Sequence, residues 1–200
     1  MRFVGSPRAA GGWGIAFVVL LLVSATMVSL PSASDSGAAI AAFYSAHGQL
    51  IVIQQVVGVA ALGAFVTFAL SLPPRRSLRI ALAAFVACEL ATNVVPLIIV
   101  AAHPSPDAAH TLTFVEDLAD SALFLSVAFF VAAATLAQTL WLRVASYVVA
   151  AACGLRAIGS PFGMTALDQI APLLFVAFVL VLSIKLLVGS RRAVAAAPTR

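Results

Sequence analysis

Six long apolar stretches constrain this sequence more than any other feature. A bilayer core about 30 Å thick needs roughly 20 mostly apolar residues per helix. Each stretch must be helical, because a helix satisfies its own backbone hydrogen bonds where water is absent. The sequence therefore predicts an all-α fold, a polytopic transmembrane helix bundle forming a single domain over residues 1–200. Its six spans lie at about 11–30, 49–72, 80–102, 119–140, 141–160 and 168–188.

The composition excludes the other broad classes of protein. Charged residues make up 9% of the chain and hydrophobic residues 63%, whereas a soluble domain carries roughly 25% charged residues. A water-soluble domain and a disordered chain are both excluded. Arginine outnumbers lysine ten to one, which is typical of a GC-rich bacterial genome and predicts the plasma membrane as the location.

The positions of the charges predict the orientation of the spans. Every basic residue except Arg156 falls on one side of the predicted membrane, and every acidic residue except Glu89 falls on the other. The positive-inside rule then places both termini in the cytoplasm. The net charge of +4 indicates topology and contact with anionic lipid headgroups, not nucleic-acid binding. The basic side carries Arg2, Arg8, Arg75, Arg76, Arg79, Arg143, Lys185, Arg191, Arg192 and Arg200; the acidic side carries Asp35, Asp107, Glu116, Asp117, Asp120 and Asp168.

Span 1 has a second interpretation as a cleaved signal peptide. Arg2 and Arg8 form a basic start, an apolar run follows, and residues 32–34 (SAS) offer a small-x-small cleavage site. Cleavage would leave five spans. A retained helix is the favoured interpretation, because the run is long for a signal peptide and five more spans follow.

Two connections on the acidic side invite separate interpretations. In residues 32–48, Ser34, Asp35 or Ser36 is positioned to cap a short amphipathic helix lying on the membrane interface. Residues 103–120 combine two histidines with four carboxylates, a mixture that binds divalent cations in other settings. The spacing matches no defined metal motif, so we expect a solvated acidic loop and no metal site.

The two exceptions to the charge sorting are the candidate site. Glu89 falls near the middle of span 3, and Asn93 follows one turn later on the same face. A charge at that depth is costly unless it has a partner. Arg156 in span 5 falls at a similar depth, so we expect a Glu89–Arg156 ion pair. Asp120 and Asp168 compete for the same guanidinium.

This intramembrane polar cluster of Glu89, Asn93 and Arg156 admits three interpretations. As a structural pair it fixes the register of the helices. As a ligand site it lines a polar cavity for an ion, a proton or a lipid headgroup. In the third, Glu89 is simply protonated, because burial disfavours the charged carboxylate.

No catalytic motif or cofactor-binding loop stands in the sequence, so we expect no enzyme and no cofactor. The leading hypothesis is a non-enzymatic membrane accessory or interaction component. Its expected partners are the lipid bilayer and either a membrane protein or further copies of the chain. The alternative, from a different class, is a small ion, proton or lipid transporter that uses Glu89.

The chain resembles a group of known proteins over nearly its whole length, and three segments carry the resemblance. They are residues 38–44 (AAIAAFY) with His47, residues 115–120 (VEDLAD), and residues 141–142 (WL). With these segments the chain resembles uncharacterised six-helix integral membrane proteins of high-GC actinobacteria. The resemblance implies the bundle architecture and no particular activity. The chain departs from the usual pattern at Glu89 and Asn93, where a plain apolar span is common.

Overall fold

The computed structural model describes residues 7–136 and 138–195, and those residues form helices and connections with no strand among them. Within these ranges six helices are long and apolar enough to cross a membrane. The prediction of an all-helical chain with six apolar helices is confirmed. The helices, α1 to α6 in chain order, are Pro7–Met27, Gly37–Leu70, Arg76–Ala102, Pro106–Ala134, Leu140–Gly159 and Ile170–Ala195.

The helices form a ring around an aromatic centre. Each helix packs against the next in the chain, α6 returns to α1, and α2 also contacts α4 across the ring. Phe65 of α2 is fully buried, and its ring centroid lies 4.8 Å from that of Phe17, 4.4 Å from Phe85 and 4.8 Å from Phe130. Aromatic pairs at such distances contribute about 0.5–1.5 kcal/mol each beyond area burial. The centre of the bundle is therefore closed by packed side chains.

Helix α2 is one continuous helix of 34 residues. The expected separate interfacial helix in residues 32–48 is wrong, because residues 37–48 form the first turns of α2. Ser36 is the N-cap, and its Oγ accepts the N–H of Ala39 at 3.3 Å. The helix continues through Gly48, where a glycine destabilises a helix by only about 1 kcal/mol relative to alanine. Packing of α2 against α3 and α4 offsets this cost.

Helix α4 begins much earlier than its sequence pattern suggested. Residues 103–120 were expected to form a solvated loop, and this expectation is wrong because α4 starts at Pro106 and ends at Ala134. Ser105 caps it, accepting the N–H of Ala108 at 3.4 Å. A serine followed by proline is a favourable helix start. The connection from α3 is left with residues 103–105 only.

Helices α2, α3 and α4 extend beyond α1 and α5 at the acidic end of the bundle, and α3 accompanies the other two as far as Ala102. Gln54 Nε2 donates to the carbonyls of Ser24 and Val28 at 3.0 and 2.8 Å, where α1 ends, yet Gln54 lies about 25 Å along α2 from its first residue. Arg156 in the last turn of α5 pairs with Asp120, which lies about 21 Å along α4 from its first residue. We call residues 37–54 of α2 and 106–120 of α4 the extension.

The connection between α1 and α2 is fastened to the extension. The N–H of Ala33 donates to Asp117 Oδ2 at 2.9 Å, and the carbonyl of Ala33 lies 3.0 Å from Nε2 of His110. At Gly37 a Cβ atom would lie 2.3 Å from the carbonyl oxygen of Pro106, so the starts of α2 and α4 are in close contact. The N-terminal ends of α2 and α4 are thus level and run side by side in the same direction.

The helix directions also sort the charged residues by end. The first turns of α1, α3 and α5 lie at one end of the bundle, whereas the α1–α2, α3–α4 and α5–α6 connections lie at the other. The second end carries Asp35, Asp107 and the one arginine Arg156 among the described residues, whereas the first end carries the other described arginines, Arg8, Arg75, Arg76, Arg79 and Arg143. Arg2 and Arg200 lie outside the described residues, as do the side chains of Arg191 and Arg192.

Candidate functional site

Arg156 links α5 to α4 and to the α5–α6 connection at the level where α5 ends. Its Nη2 lies 2.8 Å from Asp120 Oδ2 of α4, and its Nε lies 3.3 Å from Asp168 Oδ1, two residues before α6. The arginine side chain is 11% exposed and the two aspartates about a third exposed, at 35% and 33%. The contact between Arg156 Nε and Asp168 Oδ1 is at ion-pair distance but lacks hydrogen-bond geometry. Both atoms are therefore without a hydrogen-bond partner among the described residues.

Phe124 completes the surroundings of this guanidinium. Arg156 Cζ lies 3.7 Å from the centroid of the Phe124 ring, a distance at which a cation is attracted to the ring face. Phe124 follows Asp120 by four residues, so α4 presents a carboxylate and an aromatic face to the same group. We call Arg156, Asp120, Asp168 and Phe124 the arginine clamp.

The expected Glu89–Arg156 ion pair is wrong, because Arg156 pairs with the two aspartates that were its competing partners. The reason is the order of helices around the ring. Helix α4 packs against both α3 and α5 and lies between them. Depth along each helix, counted from the sequence, matched Glu89 to Arg156, but depth does not determine which helices are neighbours.

Glu89 and Asn93 do come together. Asn93 Nδ2 donates to Glu89 Oε1 at 3.2 Å and to the Glu89 carbonyl at 2.7 Å. Asn93 is 4% exposed and its Oδ1 has no hydrogen-bond partner in the described part of the chain. That oxygen faces Gly58 of α2, where a Cβ atom would lie only 2.6 Å away. The glycine makes room for the amide between α2 and α3.

Sequence reasoning missed a second group of polar side chains inside the extension. Tyr44 is 2% exposed and Thr113 is fully buried, and both hydroxyl oxygens lack a hydrogen-bond partner among the described residues. Glu116 is half-buried, and its Oε2 also lacks one. The Tyr44 hydroxyl and the Glu116 carboxyl interact at close range without forming a hydrogen bond of good geometry. We call Tyr44, Thr113 and Glu116 the hydroxyl–carboxyl group.

A helical spacing in the sequence was the signal that could have found this group. Thr113, Glu116 and Asp120 recur at three and four residues, which places them on one helix face. The interpretation of residues 103–120 as a loop hides this face, because a loop has no helical periodicity. Within that segment Glu116 and Asp120 are half-buried rather than solvated.

The chemistry of this region is dominated by carboxylates. Among the described residues, no group of three His, Cys, Asp or Glu side chains is arranged to hold a metal ion. The carboxylates nevertheless outnumber the one guanidinium at this level of the bundle, so the arrangement favours binding of cations or protons over anions. The carboxylates are Glu89, Glu116, Asp117, Asp120 and Asp168.

A cleft of about 210 Å³ opens at the acidic end between α2 and α3. Tyr44 lines it together with His103, the one described non-glycine residue in a left-handed conformation, with φ of 46°. The deepest residue of α3 in this lining is Ile99, about 15 Å along the helix from Glu89. The cleft therefore reaches Tyr44 and not Glu89. Its lining is Ala41, Tyr44, Ser45, Ile99, Val100, His103 and Pro104.

Comparison with known proteins adds no relative: no protein-family model matches the chain, and no curated protein or solved structure is significantly similar to it.

Proposed function

We propose that this chain is a non-enzymatic accessory or interaction component of a bacterial plasma membrane, with both termini in the cytoplasm. The six apolar helices make it compatible with a multi-pass membrane protein; the role and the sidedness are the proposal. The observation that carries the role is the arginine clamp, in which Arg156 joins α5 to α4 and to the connection that leads into α6.

The clamp supports a structural use of charge for a physical reason. A guanidinium held by two carboxylates and an aromatic ring has its charge compensated locally, so it fixes helix positions without needing a ligand. The aromatic centre around Phe65 fills the space that a transport pathway along the ring axis would occupy. Both features favour an assembled scaffold over a moving carrier.

The extension supports the interaction part of the proposal. It reaches about 20 Å past the end of α5, and the fastened α1–α2 connection gives it a defined surface. Alanines 38, 42 and 46 are exposed on the α2 part of this surface. A partner membrane protein or a second copy of the chain would meet this surface first.

Site-specific photo-crosslinking in native membranes tests the proposal. A photo-reactive residue replaces Ala42 on the extension or, as a matched control, the exposed Ala151 on the lipid-facing side of α5. We expect a discrete protein adduct from position 42 and only lipid adducts from position 151. Lipid adducts at both positions would contradict an interaction role for the extension.

A second candidate function, ion, proton or lipid transport through Glu89, is favoured by one observation. The buried Oδ1 of Asn93 has no partner although its Nδ2 holds Glu89. An unsatisfied amide oxygen beside a carboxyl group is suited to receive a proton donor or a cation.

Flux into liposomes separates the two functions. Purified wild-type protein is compared with Glu89→Gln and with Asp107→Asn, an exposed carboxylate in the first turn of α4. Transport predicts flux in the wild type and in Asp107→Asn, with loss in Glu89→Gln. Flux at the level of empty liposomes in all three removes transport of the substrates tested.

A further inference from the structure

The cleft between α2 and α3 has an apolar inner side and a polar rim. Tyr44 and Ile99 are buried and line the inner side, whereas Ser45 and His103 are exposed at the edge. Pockets that enclose a whole small-molecule ligand measure about 300–1,000 Å³, and this cleft measures about 210 Å³. It therefore has room for one part of a larger molecule.

The two polar side chains on the rim have no partner within the described part of the chain. The rings of His47 and His110 each lie 3.0 Å from a backbone carbonyl oxygen, whereas the ring of His103 and the hydroxyl of Ser45 make no such bond. A serine hydroxyl and an imidazole N–H both donate hydrogen bonds. None of the described lining residues is a carboxylate, so the rim suits a group that accepts hydrogen bonds.

His103 has a backbone conformation that favours glycine. Its φ is 46° at the C-cap of α3, where glycine or asparagine is usual because other residues are strained. The helix end uses only the backbone N–H of His103, which donates to the Ile99 carbonyl at 3.2 Å. An imidazole in a strained position that bonds nothing inside the protein points to a contact with a molecule outside it.

The cleft lies where the lipid-facing surface of α2 and α3 ends. Towards the acidic end, the last large apolar side chains exposed on these helices are Leu50 and Ile98, and the cleft lies just beyond them. The face of α2 that carries Ser45 continues in the other direction with the exposed Val52 and Val56. In a bilayer, the polar groups of a phospholipid lie at such a boundary and its acyl chains lie below it.

We propose that the cleft binds one glycerophospholipid from the leaflet at the acidic end. Ser45 and His103 donate hydrogen bonds to its ester and phosphate oxygens, and one acyl chain follows Val52 and Val56 along α2. The lipid fills the space beside α2 where α3 has ended at Ala102. The site is separate from Glu89 and rests on neither function proposed above.

Native mass spectrometry of the purified full-length protein tests the site. The protein in a mild detergent is titrated with phosphatidylethanolamine, and the lipids retained by each chain are counted. We expect saturable retention of one lipid. Ser45→Ala removes one hydrogen-bond donor, so the affinity for this lipid should fall about tenfold. Ala41→Phe fills the cleft and should abolish retention, whereas Ala42→Phe, at the exposed neighbouring position outside the lining, should not.

His103→Gly separates lipid binding from folding. It should raise the unfolding temperature in lipid-free detergent, because glycine adopts the left-handed backbone without strain, and it should lower the lipid affinity as Ser45→Ala does. His47→Ala is the matched control, because His47 is also exposed at the acidic end but lies outside the lining. It should retain lipid like the wild type.

Two results would overturn the proposal. One is wild-type retention of lipid in both Ser45→Ala and His103→Gly, which decide the question even if Ala41→Phe fails to fold. The other is displacement of the lipid by glycerophosphoethanolamine, which has the same headgroup without acyl chains, at the concentration at which phosphatidylethanolamine itself competes. The first result would assign the cleft to water, and the second would assign it to a soluble phosphodiester.

Discussion

At the scale of the residue, the arginine clamp shows that a sequence reveals the need of a buried charge for a partner but not the identity of that partner. Arg156 and Glu89 stood out because each is a charge inside an apolar span. The need for a partner followed from the cost of burying a charge. The identity of the partner did not follow, because Asp120, Asp168 and Glu89 all lay at reachable depths and only the order of helices around the ring distinguishes them.

Removing the clamp cation should destabilise the bundle. Arg156→Met leaves the carboxylates of Asp120 and Asp168 without a compensating positive charge, and we expect the free energy of unfolding to fall by about 2 kcal/mol. This loss is smaller than for a fully buried ion pair, because both aspartates are about a third exposed. Arg76→Met, at an exposed arginine in the first turn of α3, is the control and should be neutral. Unfolding in SDS with lipid micelles measures both, and equal stability of the two variants would contradict a clamp.

The two aspartates should not contribute equally. Asp120 contacts the guanidinium at 2.8 Å, whereas Asp168 does so at 3.3 Å without hydrogen-bond geometry. We therefore expect Asp120→Asn to lower the unfolding temperature more than Asp168→Asn. A larger effect from Asp168→Asn would show that the connection between α5 and α6, not α4, anchors the arginine.

Gly58 offers a test of the amide site with a control on the same helix. A Cβ at this position would lie 2.6 Å from Asn93 Oδ1, so Gly58→Ala should cost about 1–3 kcal/mol through overpacking. Gly63→Ala meets nothing within 4 Å and should be neutral or slightly stabilising. Adding Asn93→Ala to Gly58→Ala should restore part of the lost stability, and no recovery in the double variant would argue against this contact.

At the scale of the element, the sequence located the six helices well and two of their ends poorly. Apolar runs predicted α3 and α5 to within a few residues. The starts of α2 and α4 lie 12 and 13 residues before the predicted spans at 49 and 119, at residues 37 and 106. A hydropathy argument reports where a helix enters lipid, and it gives no boundary where the helix continues into a polar region. The cap signals at Ser36 and Ser105 mark these starts.

Gln54 should matter more than its neighbours because it completes a helix end. Its amide satisfies the Ser24 and Val28 carbonyls, where α1 would otherwise leave acceptors unpaired. We expect Gln54→Leu to cost about 1–2 kcal/mol and to speed amide hydrogen exchange in the last turns of α1. Gln49→Leu, at an exposed position five residues earlier, is the control. Unchanged exchange in α1 would rule out this capping role.

At the scale of the whole molecule, sidedness is the quantity that remains a prediction. In a variant with Cys88 and Cys153 replaced by alanine, a single cysteine is placed at Ser34 or at Ser77, exposed positions at opposite ends of the bundle. The positive-inside rule predicts that a membrane-impermeant maleimide labels position 34 in intact cells and position 77 only after permeabilisation. The reverse pattern would invert the proposed orientation.

The uneven helix ends have a consequence for the surrounding lipid. On α4 the exposed apolar surface reaches Phe114, about 9 Å beyond Asp120, whereas α5 ends at the level of Asp120. The protein thus has a smaller hydrophobic thickness on the α5–α6 side, where Phe162 and Met164 are 81% and 63% exposed. The bilayer on that side must become thinner, at a cost of a fraction of a kcal/mol per ångström of mismatch. Two molecules that meet on that side would share one thinned ring of lipid, instead of each maintaining its own.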